Sequence, residues 1–280
     1  MLVTTAQLSE HLDDPSWVVF DCRHDLVDHG KGAKLYAGGH IPGAHFAPVE
    51  TALAGPKTGR NGRHPLPAPD AFAAFLAAHG VSADSTVVAY DDSGGLYAAR
   101  LWWQAKWIGL RSVALLDGGI PKWLAEGRPV ATAVTTPKPA VLQAHADPSL
   151  VWNADQVLAS LSDPSCAILD ARAAERYRGD VEPMDPVAGH IPGALNRFYK
   201  ANLQADLTFR PAAELKEEFS ALLQNRPPGK VAHQCGSGIT ACANLFAMEY
   251  AGLPGSKLYA GSWSEWVAEP GRPVARGAQA

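Results

Sequence analysis

The sequence predicts an α/β fold built from two tandem modules, each a mostly parallel sheet flanked by helices on both faces. Three observations carry this. The 280 residues correspond to roughly two domains at about 150 residues each. HIPGA stands at 40–44 and again at 190–194, and other segments recur in the same order, the mark of an internal repeat. Within each copy short apolar runs alternate with helical stretches, a pattern that yields parallel strands joined through helices.

The repeat runs along most of the chain. VVFDCR, ending at Arg23, matches AILDAR, ending at Arg172, at an offset of 149; GLYAARLWWQAKWIGL (95–110) matches GITACANLFAMEYAGL (238–253) at 143. The same offset carries Trp123 onto Trp266, and GRPV at 127–130 recurs at 271–274. The fall from 150 to 143 places extra residues in the first copy, and GPKTGRNGRHPLPAPD (55–70) is where they fit. The modules are expected at 1–130 and 150–280. The Thr- and Pro-rich stretch 131–149 has little periodicity and reads as an extended linker.

In the first module WVVF (17–20) is a short apolar strand, and AFAAFLAAHG (71–80) an alanine-rich helix closed by a glycine cap. TVVAY (86–90) is a strand, 96–109 a helix ending at Gly109, SVALLD (112–117) a strand, and the segment around Trp123 a short helix. The second module repeats the order. Asn153 caps a helix over NADQVLASL; CAILD is a strand; Pro211 opens the helix PAAELKEEFSALLQ; KVAHQ (230–234) is a strand, ITACANLFAMEYAG a helix and KLYA (257–260) a strand.

Composition excludes several classes. With 47% hydrophobic and 19% charged residues the chain is an ordinary globular protein. The net charge of −4 gives no electrostatic footprint for nucleic acid or an anionic membrane, and no run of about 18 apolar residues occurs. Cys22, Cys166, Cys235 and Cys242 form no C-x-x-C pair and are too sparse for a disulfide scaffold. No histidine cluster has ligand spacing, so neither metal nor cofactor is implied. The start carries no signal-peptide pattern, and a cytoplasmic location is expected.

The chemistry is expected at KVAHQCGSGITACANLF (230–246). Cys235 follows an apolar strand and precedes a helix, where unpaired backbone N–H groups and the helix dipole favour an anion. Gly236 and Gly238 let the loop curl so that its amides form a nest. A thiol in such a setting becomes a nucleophile at neutral pH. A cysteine phosphatase would need an arginine at the sixth position after the cysteine; Ala241 stands there, so the loop suits a smaller or less charged group.

These motifs, together with DGGIPKW (117–123) and GSWSEW (261–266), resemble those of tandem-domain rhodanese-family sulfurtransferases over nearly the whole chain. CGSGIT resembles the loop of the 3-mercaptopyruvate sulfurtransferases; thiosulfate sulfurtransferases carry basic residues where this chain has Gly236 and Ser237. The resemblance implies that Cys235 takes a sulfur atom as a persulfide from 3-mercaptopyruvate, or from thiosulfate, and passes it to a thiol, thioredoxin included, or to cyanide. The other reading is a persulfide carrier serving a protein partner. A monomer is expected. At an offset of 143 Cys235 maps onto Asp92, so the first module is expected to be non-catalytic.

The amides from Gly236 through Ile239 to Thr240, with the hydroxyls of Ser237 and Thr240, are expected to hold the persulfide. The resemblance further implies a proton relay from Ser237 to a histidine and an aspartate, for which His40 and Asp28 are the candidates. It assigns Arg172 and Arg176 to the donor's carboxylate or sulfonate, although Arg172 repeats as Arg23 and so also fits a structural ion pair. Mercaptopyruvate enzymes carry a second arginine some nine residues after the one matching Arg176. Here VEPMDPVAGH (181–190) places Met184 and Asp185 there, so one clamp is missing or comes from elsewhere.

Overall fold

A computed structural model describes residues 2–278. The chain divides into two compact units that exchange short segments. The first comprises Met1–Gly55, Leu66–Asp147 and Leu203–Phe209; the second comprises Pro56–Pro65, Pro148–Asn202 and Arg210–Ala280.

The first unit runs β1 (Leu2–Val3), α1 (Thr5–Glu10), β2 (Trp17–Asp21), α2 (Lys31–Gly38), β3 (His45–Phe46), α3 (Pro69–Ala78), β4 (Thr86–Tyr90), α4 (Ala98–Trp107), β5 (Val113–Leu116) and α5 (Gly119–Ala125). The second runs α6 (Ala154–Ser160), β6 (Ala167–Asp170), α7 (Ala174–Arg178), β7 (Leu195–Asn196), α8 (Ala212–Leu223), β8 (Val231–Gln234), α9 (Ala241–Tyr250), β9 (Lys257–Leu258) and α10 (Ser262–Trp266). Among the described residues the sheets are ordered β1-β5-β4-β2-β3 and β7-β6-β8-β9, with every pairing parallel. A parallel bridge from Val151 to Leu258 lies beside β9, where the first sheet has β1. The predicted α/β repeat is the observed one.

The repeated motifs repeat their contacts. His40 Nδ1 donates to Tyr36 O at 2.8 Å and stacks on that ring; His190 does the same with Tyr177. Each histidine's backbone pairs antiparallel with the residue after GRPV, Ala131 or Ala275. Trp123 and Trp266, both fully buried, each donate Nε1 to the proline carbonyl of GRPV, and Arg128 and Arg272 lie over their rings. The HIPGA turn, the tryptophan and GRPV are therefore one packing unit, which explains why they recur together.

The cores follow the strand pattern. Val19, Val88, Ala114 and Trp123 centre one cluster; Ile168, Ile191, Trp263 and Trp266 centre the other. The stretch expected as a linker holds neither helix nor strand from 132 to 147, and it belongs to the first unit, bonded along it by Ala140 N to Ala77 O, His145 N to Ile108 O and Asp147 N to Trp107 O. No helix among the described residues is long and apolar enough to cross a membrane.

One buried side chain links the core to pH. His233 in β8 has no exposed surface and no partner on either ring nitrogen, and burial pushes its pKa down to about 3. The unfolded chain protonates this imidazole near 6.5, so stability is undiminished above that pH and falls as pH drops toward 3. The melting temperature is expected to fall between pH 6.5 and 4, and His233→Leu to flatten that fall. An identical pH profile for the variant would contradict the assignment.

Candidate active site

Cys235 follows β8 directly and is buried, 1% exposed. Its thiol accepts the Gly238 amide at 3.1 Å. The loop is pinned from behind by the turn into α10: Trp263 N donates to Cys235 O and Ser264 N to Gly236 O, both at 3.0 Å. Ser262 is fully buried at φ +53°, an uncommon backbone for a non-glycine residue; its Oγ accepts Cys235 N and donates to Tyr259 O. Gly238, at φ +80°, passes so close to Ala260 that a Cβ would sit 2.3 Å from the carbonyl oxygen. No other residue fits that approach. Ile239 and Ser237 are buried beside it, and Thr240 precedes α9.

The matching loop of the first unit shows what such a loop does with its amides. Asp91, fully buried at the end of β4, accepts four backbone N–H bonds, from Ser93, Gly95, Tyr97 and Ala98, at 2.7–2.9 Å. Burial raises its pKa while those four amides oppose the rise. The nest there is filled by a carboxylate of the chain itself. At the repeat offset Asp91 corresponds to Gln234, whose buried side-chain amide reaches neither the loop nor any other partner. In the second unit the loop curls over the Cys235 sulfur instead.

The hydroxyl of Ser237 has a histidine partner, and it is His64: Nδ1 lies 2.7 Å from Oγ, with both residues buried. His64 comes from the Pro56–Pro65 segment, the extra residues of the first copy, which folds with the second unit. Gly62, at φ +81°, lets the segment approach Gly261 O within 2.7 Å of where a Cβ would stand, and Arg63 N donates to Ser264 Oγ. The expected relay residues are placed otherwise. His40 is held by Tyr36 within the first unit, and Asp28 is exposed there, bonded to Gly30 N and paired with Lys34. The signal for His64 was an insertion carrying Arg and His in one copy only, since such loops hold functional groups more often than they hold a core.

Arg172 and Arg176 converge on one carboxylate, Glu182, at 3.3 and 2.6 Å. Burial raises the Glu182 pKa, but the Arg176 hydrogen bond, the Met184 amide and the charges of Arg176 and Arg172 together hold the carboxyl below its usual range. Arg172 is 3% exposed, chelates Asp170, donates to Gly189 O and lies over Trp263. Burial disfavours its charge, but Asp170, Glu182 and the Cys235 sulfur more than restore it. Arg23 makes the same bonds to Asp21 and Gly39 O, so the arrangement around Arg172 is the structural one of both copies. Arg176, with a side chain 20% exposed, reaches the loop: Nη1 and Nη2 lie 3.5 Å from where a Cβ on Gly236 would stand. Arg63 Nη2 lies 2.8 Å from the same point, so two guanidiniums cover Gly236 and both pair with Asp185.

No cysteine among the described residues is bonded to another, and the Cys242 thiol donates to Gly238 O. The residues that could hold a metal lie elsewhere. In the first unit His24, His29 and Glu50 bring ligand atoms within 4.8 Å of one another, a grouping that their spacing in sequence does not reveal.

Residues 4–126 and 153–269 each match the rhodanese-like domain family. A Pseudomonas aeruginosa protein named "Probable 3-mercaptopyruvate sulfurtransferase" is 49% identical over 278 residues, 99% of this chain and 98% of its own length. The thiosulfate sulfurtransferase of Bos taurus is 34% identical over 95% of this chain and 91% of its own. Among solved structures, SseA from Escherichia coli, described as a 3-mercaptopyruvate sulfotransferase of "Rhodanese" fold, superposes with a TM-score of 0.81 at 30% identity, covering 94% of this chain and 98% of that one.

Proposed function

Because the chain belongs to the rhodanese family, we propose that it is a sulfurtransferase whose nucleophile is Cys235, with 3-mercaptopyruvate as its donor. The observation that carries this is the Cys235 loop itself. A cysteine is placed at a strand end under a curled backbone, while the sister loop holds an anion on four amides. The loop carries no cation of its own, as suits a donor with one negative charge. The P. aeruginosa relative's name supports the same donor.

The Cys235 thiolate attacks the donor's thiol sulfur. The S–S bond forms as the C–S bond breaks, and the electron pair leaves as the enolate of pyruvate. The proton of the donor thiol goes to the enolate carbon, which leaves a persulfide anion on Cys235. The Ser237 hydroxyl and the His64 imidazole, 2.7 Å apart, carry that proton. A thiol or cyanide then removes the outer sulfur and restores the thiolate. Arg176 faces the donor's carboxylate across Gly236.

The direct test is the mass of the purified chain after incubation with each donor: one added sulfur, lost on adding cyanide. No mass gain with either donor would overturn the reading. The relay has its own test. Ser237→Ala and His64→Ala are each expected to lower kcat with 3-mercaptopyruvate about 10²-fold. The loss with thiosulfate should be at least about tenfold smaller, since that sulfur carries no proton to move. Equal losses with both donors would remove the pair from proton transfer.

A further inference from the structure

The cations over Gly236 are already engaged by a carboxylate. Asp185 pairs through Oδ1 with Arg63 Nη1, and its Oδ2 lies 3.6 Å from Arg176 Nη2. Its side chain is 3% exposed, and Oδ2 has no hydrogen-bond partner. A buried carboxylate oxygen without a donor costs stability that an ordinary surface ion pair would not. Burial raises the Asp185 pKa, with Arg63 and Arg176 opposing and Glu182 reinforcing the rise. Arg63 and Arg176 keep 27% and 20% of their side chains exposed, so both guanidiniums can be reached from solvent. The charges are balanced: Arg172 is matched by Asp170, Arg176 by Glu182, and Arg63 by Asp185.

We propose that Arg63 and Asp185 act as one unit that sets which sulfur donor the site takes. Arg63 is the second guanidinium on the donor's anionic group, supplied by the inserted segment rather than by the stretch after Arg176. Asp185 aims both guanidiniums at Gly236 and cancels one positive charge. A donor with a single carboxylate, a mercapto-2-oxo acid, is accommodated; thiosulfate brings a second negative charge against a carboxylate that cannot move into water. This rests on the sulfurtransferase reading and names the residue pair behind its donor preference. The Oδ2 left without a donor is the cost of holding Asp185 against both guanidiniums.

The test is a pair of steady-state assays on the full chain, with 3-mercaptopyruvate and with thiosulfate, cyanide being the acceptor and ionic strength fixed. In Asp185→Asn the ratio of kcat/KM for thiosulfate to kcat/KM for 3-mercaptopyruvate is expected to rise about tenfold, because one pocket charge acts on a difference of one substrate charge. Asp185→Glu, which keeps the charge, should hold that ratio within about threefold of the parent. Arg63→Ala should raise KM for 3-mercaptopyruvate about tenfold. An unchanged or lowered ratio in Asp185→Asn, or an unchanged KM in Arg63→Ala, would overturn the proposal. A ratio needs no correction for a fraction of misfolded enzyme, so partial instability of a variant does not blur the result. Failure of the underlying reading shows separately, as a parent chain that gains no sulfur from either donor.

Discussion

Cys235→Ser is expected to abolish turnover with every donor, a loss of about 10⁴-fold or more, and to leave the mass of the chain unchanged after incubation with donor. The size follows from the chemistry. Serine is far less nucleophilic toward sulfur and has no stable counterpart of a persulfide. Nothing else in the second unit can take over: Cys242 is the second residue of α9 with its thiol on Gly238 O, and Cys166 lies before β6 beside Asp163. The fold should be little affected, since Cys235 is held through its backbone, to Ser262 Oγ and Trp263 N, and a serine hydroxyl can accept the Gly238 amide that now meets the sulfur. Equal unfolding midpoints for parent and variant, with turnover gone, are the expected pair of results. Turnover above a thousandth of the parent's would remove Cys235 from the mechanism.

Arg172→Ala is expected to destabilise the chain by about 3–5 kcal/mol, because it leaves Asp170 charged and buried with its main partner gone. Glu182 loses one of its two cations, Gly189 O loses a donor, and Trp263 loses the group stacked on it. Arg23→Ala in the other unit breaks the same pattern around Asp21 and serves as the comparison, since Arg23 has no part in the proposed chemistry. Denaturant unfolding of both variants separates the roles. Comparable losses of stability identify Arg172 as the pillar of its copy. A stable Arg172→Ala chain with a raised KM would return it to the donor pocket.

The parts of the site that could be read from the sequence were the local ones. Cys235, Gly236, Ser237, Gly238 and Thr240 occupy one loop whose strand, glycines and helix follow each other without interruption. The repeat was equally legible because HIPGA, the tryptophan and GRPV are bound to each other and so keep their order. Two-residue strands such as β3 and β7 escaped, since two residues show no periodicity, and five-residue α7 and α10 are too short for a helical stripe. His64 lies 173 residues from Ser237, and no pattern in the chain records that they meet. Arg63 and Asp185 were hidden for the same reason. The missing second clamp was visible in sequence; the residue placed to fill it was not, because it came from the segment read only as an insertion.

Asp91 has a consequence for anyone wishing to give the first copy an activity. The repeat alignment invites one change, a cysteine at position 92. That thiol would arrive at a cradle with a permanent tenant, since the carboxylate next door already receives the amides a bound sulfur anion would need. A cysteine nest like that of the second copy therefore takes at least two substitutions there, eviction as well as installation.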